Sequence, residues 1–299
     1  MTSTIQTTQL IQRQARAALV RAVRAEALSE VRRLVSSYPA SINAKNAHLN
    51  MPLGEAIATD NLSLVRLMVE GSADPANINH GGSGLVGGAL HMGYHDIALY
   101  LIERRAPTAF AELAACEQPE HLDTLLGSNP NAMNEPAISS RQLTALHMAT
   151  LAGHLPGVDC LLEHGFDTES RDRHGHPPLA CTPECRLTEK RCPVASRLLS
   201  ADANPSVPGG HHGGTVLDRA IITGHKELST LLLDAGASLD HQDWSGKTAL
   251  HHAVSRNADL TRIVLSHSPD IHATTKSGET TIDMARRPIR NAIIRCFEG

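Results

Sequence analysis

Aromatic side chains are nearly missing from this chain. Three Phe, three Tyr and one Trp make up 2% of its 299 residues. A globular core of this size normally takes much of its buried area from such rings. Here Ala, Leu, Val and Ile must build it, which fits thin layers of small helices. Long apolar runs are missing too. None approaches the ~18 residues that a membrane span needs, and the N-terminal "MTSTIQTTQLIQRQA" lacks the apolar stretch of a secretory leader. Charge of one sign is also lacking. The balance of 27 basic and 31 acidic residues implies neither a polyanionic partner nor a membrane surface. The six Cys are irregularly spaced. They read as reduced thiols of cytosol or nucleus, not as a disulfide framework. No G-x-G-x-x-G after a strand, and no P-loop, H-E-x-x-H or G-x-S-x-G pattern, occurs, so no cofactor is expected. "GGSG" (81–84) and "GGHHGG" (209–214) lack a following phosphate-loop helix and read as turns.

What the chain does have is recurrence. "MPLGEA" ends at Ala56, "TALHMA" at Ala149, "TVLDRA" at Ala220, "TALHHA" at Ala253 and "TTIDMA" at Ala285. "PPLACT" ends at Thr182, and weaker copies end at Ala22, Ala89 and about Ala114. Successive offsets are 34, 33, 25, 35, 33, 38, 33 and 32. With "GH" at 153–154 and 224–225, "LLL" near Leu231 and the turns "DRHG" (172–175) and "DWSG" (243–246), the chain resembles the ankyrin-repeat family over roughly 14–299. The resemblance implies an all-α solenoid of about nine copies, including degenerate and capping ones. Residues 1–13 are set apart as a polar N-terminal segment, and 14–299 are read as a single domain. Each recurring residue has a physical use. Thr can cap the first helix. The small Ala sits where two helices and the next copy crowd together. The Gly of "GH" ends the first helix in a left-handed conformation. Asp and Gly suit the tip of a hairpin-like finger.

Two copies depart from the period. The copy at Ala114 is about eight residues short ahead of its helix pair, which predicts a missing or stunted finger. The copy at Thr182 carries four extra residues between its helices, in "TPECRLTEKRCPV", which predicts an inserted loop at 183–193. Both segments are expected to open first. Arg21, Arg24, Arg32 and Arg33 at one end, and Arg286, Arg287, Arg290 and Arg295 at the other, supply the polar faces that solenoid ends need.

The chain holds 18 His. His147 and His251 occupy the T-x-L-H site, where the resemblance implies bonds to a neighbouring finger. His154 and His225 belong to the "GH" elbow. His174, His176, His211, His212 and His241 are not required by the repeat and read as solvated tips or as partner contacts. "HGHPPLACTPECRLTEKRC" looks like a zinc segment, but its histidines precede a helix and Cys185 and Cys192 follow it. A seven-residue helical rise is roughly 10 Å, while zinc ligands lie near 2 Å from one ion. No metal site and no stoichiometric zinc are therefore expected, and Cys181 reads as core.

The candidate binding face is the finger ridge with the exposed side of the first helices. Its residues are Arg141, Arg173, His174, His176, His211, His212, Trp244, Lys247, Arg256 and Lys276. Trp244, the lone Trp, has no core role in the repeat, and Trp and Arg are frequent interface anchors. The expected function is a non-catalytic protein-binding scaffold or adaptor, cytoplasmic or nuclear, whose partner carries an acidic surface or segment. One Trp argues against interleaved nucleic-acid bases. The alternative is an enzyme with a small-molecule pocket and acid–base groups at His176, His212 and His252.

Overall fold

A computed structural model describes residues 2–43, 52–76, 84–116, 119–128, 136–137, 141–207, 213–286 and 291–297. Helices follow one another in pairs: α1 (Thr2–Arg24) and α2 (Leu28–Ser37), α3 (Pro52–Ile57) and α4 (Leu62–Glu70), α5 (Leu85–Met92) and α6 (His95–Glu103). Then come α7 (Phe110–Leu113) and α8 (Pro119–Ser128), α9 (Ala145–Ala152) and α10 (Leu155–Glu163), and a 3₁₀ segment, Pro178–Glu184, with α11 (Thr188–Leu199). The array ends with α12 (Val216–Thr223) and α13 (Lys226–Asp234), α14 (Ala249–Arg256) and α15 (Ala258–Leu265), α16 (Thr281–Ala285) and α17 (Asn291–Ile294). Each first helix stacks on the first helix of the next pair, and the second helices form a parallel row. No β-strand and no helix long and apolar enough to cross a membrane occurs among the described residues.

The repeat register holds throughout. Ala22, Ala56, Ala89, Ala114, Ala149, Thr182, Ala220, Ala253 and Ala285 are all buried. Thr215 caps α12 in a reciprocal box: its Oγ1 accepts from the Asp218 N–H at 3.2 Å, and Asp218 Oδ2 accepts from the Thr215 N–H at 2.7 Å. At Thr144 the box closes differently. His147 Nδ1 accepts from the Thr144 N–H at 3.3 Å and lies 2.7 Å from its Oγ1. With Nδ1 accepting, Nε2–H is free to donate to the His176 carbonyl of the next finger at 2.8 Å. Gly153 and Gly224 end their helices at φ +70° and +87°, the left-handed caps that the "GH" elbow requires. The polar 1–13 segment is helical from Thr2 as part of α1; Leu10 and Ile11 are exposed and burial begins at Ala15.

The two irregular copies interlock. Only residues 104–109 join α6 to α7, where 235–248 join α13 to α14, so the finger ahead of α7 is missing. α7 is a single turn, and α5 consequently packs directly against α9, skipping over it. The extra residues of the Thr182 copy do not form the expected open loop. They become a turn after the 3₁₀ segment and a longer first turn of α11. Arg191 fixes that turn from a buried position. Its Nε donates to the Thr182 carbonyl at 3.1 Å and its Nη2 to the Cys185 carbonyl at 2.6 Å. The turn then reaches across α9 to the end of α5, where a Cβ on Gly93 would lie 3.7 Å from Leu187 Cδ2. All eight residues of α9 are buried as a result.

The expected second weak point at 183–193 is therefore corrected: Cys185 and Arg191 are buried and hydrogen bonded. The first remains. The step from α6 to α8 is the weakest in the second-helix row. Hydrogen exchange followed by mass spectrometry should show residues 104–128 opening before 183–193. Equal protection of the two segments would contradict this reading.

Candidate binding ridge

Three fingers share one backbone design. The N–H groups of Asp172, Asp243 and Thr275 donate to the carbonyls of His176, Lys247 and Glu279 at 3.0, 2.9 and 3.0 Å. Gly175, Gly246 and Gly278 follow at φ +78°, +80° and +77°. The Asp side chains fasten the tips from inside. Asp243 Oδ1 accepts from the Ser245 and Lys247 N–H groups at 2.8 and 2.9 Å, and Asp172 Oδ1 from those of His174 and His176 at 2.8 and 3.0 Å. Neighbouring tips are joined by backbone bonds: Arg173 N–H to the Arg141 carbonyl at 2.8 Å and Lys276 N–H to the Ser245 carbonyl at 2.9 Å. At Gly246 a side chain would meet the Lys276 nitrogen at 2.6 Å, so close approach of fingers demands glycine there. Each of these two pairs of neighbouring tips is thus held by a backbone bond before any partner arrives.

Trp244 stands at the tip of the second-last finger with 69% of its surface exposed. Its indole lies along the preceding finger, since a Cβ on Gly213 would fall 2.3 Å from Nε1. His241 Nε2 binds the carbonyl of that same Gly213 at 2.6 Å. Arg173, His174, Arg256 and Lys276 are exposed and Lys247 is half-buried. Arg256 folds over the C-terminal cap of α12, with Nη2 2.9 Å from where a Gly224 Cβ would be. His211 and His212 lie outside the described residues, as do Arg287 and Arg290.

Arg141, read from sequence as a tip cation, is instead committed inward. Its Nη2 pairs with Asp172 Oδ2 at 3.0 Å and its Nη1 with Glu184 Oε2 at 2.7 Å. The other Glu184 oxygen pairs with Arg219 Nη1 at 2.7 Å. Burial alone would raise the Glu184 carboxyl, but Arg141 and Arg219 outweigh it and hold it below the usual carboxylate range. Asp172 behaves alike: burial is overcome by the finger N–H groups and Arg141. Sequence reasoning missed Glu184, Asp172 and Arg219. The available signal was register, because Glu184 lies two residues after its anchor and Arg219 one before, both on the face turned to the groove.

Of the alternative catalytic histidines, His176 and His252 are not brought together. Burial lowers the His176 pKa, and its charged neighbours are Asp172, Arg141, His174 and Arg219. His252 is two copies away, with Nε2 3.2 Å from Asp243 Oδ2. The cavities described around α8 and α10 and around α16 and α17 are lined by neither residue. The zinc-like segment is likewise divided: Cys181 is in the core, and Cys185 is buried beyond the 3₁₀ segment with its thiol donating to the Leu187 carbonyl at 3.6 Å.

Comparison with known proteins fits this geometry. "Ankyrin repeats (3 copies)" matches residues 185–275 and "Ankyrin repeat" matches 141–173. The chain is similar to mouse (Mus musculus) B-cell lymphoma 3 protein homolog, 32% identical over 150 residues, which is 48% of this chain and 32% of that protein. It is similar to human Ankyrin repeat and SOCS box protein 6, 28% identical over 197 residues, 60% of this chain and 38% of that protein. Human Rabankyrin-5 is 27% identical over 285 residues, 81% of this chain and 24% of that protein. The chain thus spans well under half the length of these relatives.

The carboxylate between two arginines generates a pH prediction. Glu184 and Asp172 have lowered native pKa values, so their contribution is complete above the ordinary carboxylate values of 4.5 and 3.8. It is lost as the pH falls through the native values. Glu184→Gln should cost about 2 kcal/mol at pH 7 and lose less further stability between about pH 5 and pH 3 than the wild type. Urea midpoints measured across that range would check it; parallel pH profiles would contradict it.

Proposed function

The chain is an ankyrin-repeat protein, and from that premise we propose that it is a non-catalytic scaffold that binds another protein along the finger ridge. Repeats of this kind typically serve protein interaction. The observation that carries the reading is Trp244. An indole that is 69% exposed is held on a turn whose backbone is already fixed by Asp243 and Gly246. Ordering it on binding therefore costs little. A rigid aromatic surrounded by polar groups is the usual form of an interface hot spot with its rim.

The partner's charge follows from which cations the fold leaves outward. Arg141 and Arg219 are neutralised by Asp172 and Glu184. Arg256, in the copy of Trp244, and Lys276, in the next finger, are exposed, with Lys247 half-buried. This ridge favours a partner with an acidic segment carrying an apolar or aromatic group for the indole. An acidic partner would associate faster at low salt. The six cysteines are free thiols, which agrees with action in the cytoplasm or nucleus.

The test begins with affinity capture and mass spectrometry, followed by titration of the identified partner against purified chain. Trp244→Ala should keep the circular dichroism of the wild type and bind about thirtyfold more weakly, near 2 kcal/mol. Wild-type affinity in Trp244→Ala would remove the ridge from the interface.

A further inference from the structure

Away from the fingers, on the second-helix row, three ligand-type side chains converge. Cys160 lies on α10, and His164 caps its C-terminus one turn later. Asp123 of α8 closes on both from the preceding copy. Asp123 Oδ1 is 3.4 Å from Cys160 Sγ and 3.5 Å from His164 Nε2. One ligand atom from each residue lies within 4.8 Å of the others. Zinc holds thiolate sulfur at about 2.3 Å and imidazole or carboxylate at about 2.0–2.2 Å in a tetrahedron, so its ligands stand roughly 3.3–3.6 Å apart. The two measured separations fall within that range.

The ring orientation agrees. His164 Nδ1 is 2.9 Å from the Cys160 carbonyl. An N–H there donates to the carbonyl and leaves Nε2 as the bare lone pair, turned toward Asp123. A backbone carbonyl holding the far nitrogen is a common way in which zinc-bound histidines are oriented. The local field also suits a cation. Asp123, Glu163 and Glu120 set negative charge around the Cys160 sulfur. A cavity of about 280 Å³, with Asp123, Cys160 and Glu163 in its lining, opens beside the sulfur.

We propose that Asp123, Cys160 and His164 bind one zinc ion, with the fourth position turned toward this cavity. The cysteine thiol gives up its proton to solvent as the sulfur–metal bond forms. Mixed sulfur, nitrogen and carboxylate donors favour zinc over magnesium or calcium. The sequence expectation of no stoichiometric zinc was drawn from His174 and Cys185, and this site uses neither.

The test uses the full chain without a histidine tag, stripped by chelator and titrated with zinc sulfate in competition with a coloured chelator. Elemental analysis after gel filtration reads the stoichiometry. Wild type should retain one equivalent, with affinity reduced at least about tenfold in Cys160→Ser and in His164→Ala. Cys185→Ser should bind like wild type. Cobalt loaded in place of zinc should show a thiolate-to-metal charge-transfer band that Cys160→Ser abolishes. If Cys160→Ser fails to fold by circular dichroism, His164→Ala decides alone, because its ring is exposed. No retained equivalent in the wild type would overturn the proposal. So would an equivalent that survives His164→Ala or follows Cys185.

Discussion

Every helix pair in this array is too thin to bury its own apolar face, so each is stable only against its neighbours. The narrowest point of that stacking is the anchor position, filled by Ala in eight copies and by Thr182 in the ninth, all buried. A larger side chain there would force the first helices apart. The same constraint explains why the chain manages with so few aromatics. Where they occur, several gather around the one break in the stack. Phe110 of the short copy packs on Phe166 with ring centroids 6.2 Å apart. Tyr100, just before the break, is buried under Arg66 and Arg104, whose guanidinium carbons lie 4.8 and 5.2 Å from its ring centre. Large rings fill space that regular small residues leave.

The short and long copies are best understood together. Loss of a finger shortens α7 to one turn and lets α5 meet α9. The longer copy two steps on then lays Arg186 and Leu187 against the exposed end of α5. A deletion and an insertion separated by about seventy residues in sequence therefore produce one closed surface, which encloses α9. The buried Arg191 is affordable there only because backbone carbonyls at a helix end accept from it. The neighbouring Arg141–Glu184–Arg219 chain ties the fifth, sixth and seventh copies across the groove. Such a partly buried network contributes more to fixing the relative placement of repeats than to net stability. Beyond it the fingers are regular, and the exposed Trp244 belongs to that regular part.

Local chemistry made much of this legible beforehand. Thr144, Gly153 and the "DWSG" turn each prescribe a backbone state through their own side chains or the lack of one, so the helices, elbows and finger tips could be placed from recurrence. The exposure of Trp244 followed from the same register. By itself, the sequence determined the repeat, the anchor, the missing finger and the tip that presents Trp244, because these rest on contacts within one period or with the next. Only the tertiary structure decided where charges and ligands meet. Whether Arg141 faces a partner or Glu184 depends on a residue 43 positions away. The convergence of Asp123 with Cys160, 37 positions apart, depends on how the short copy seats α8 against α10. No periodic rule encodes those distances, since they arise where the period itself fails.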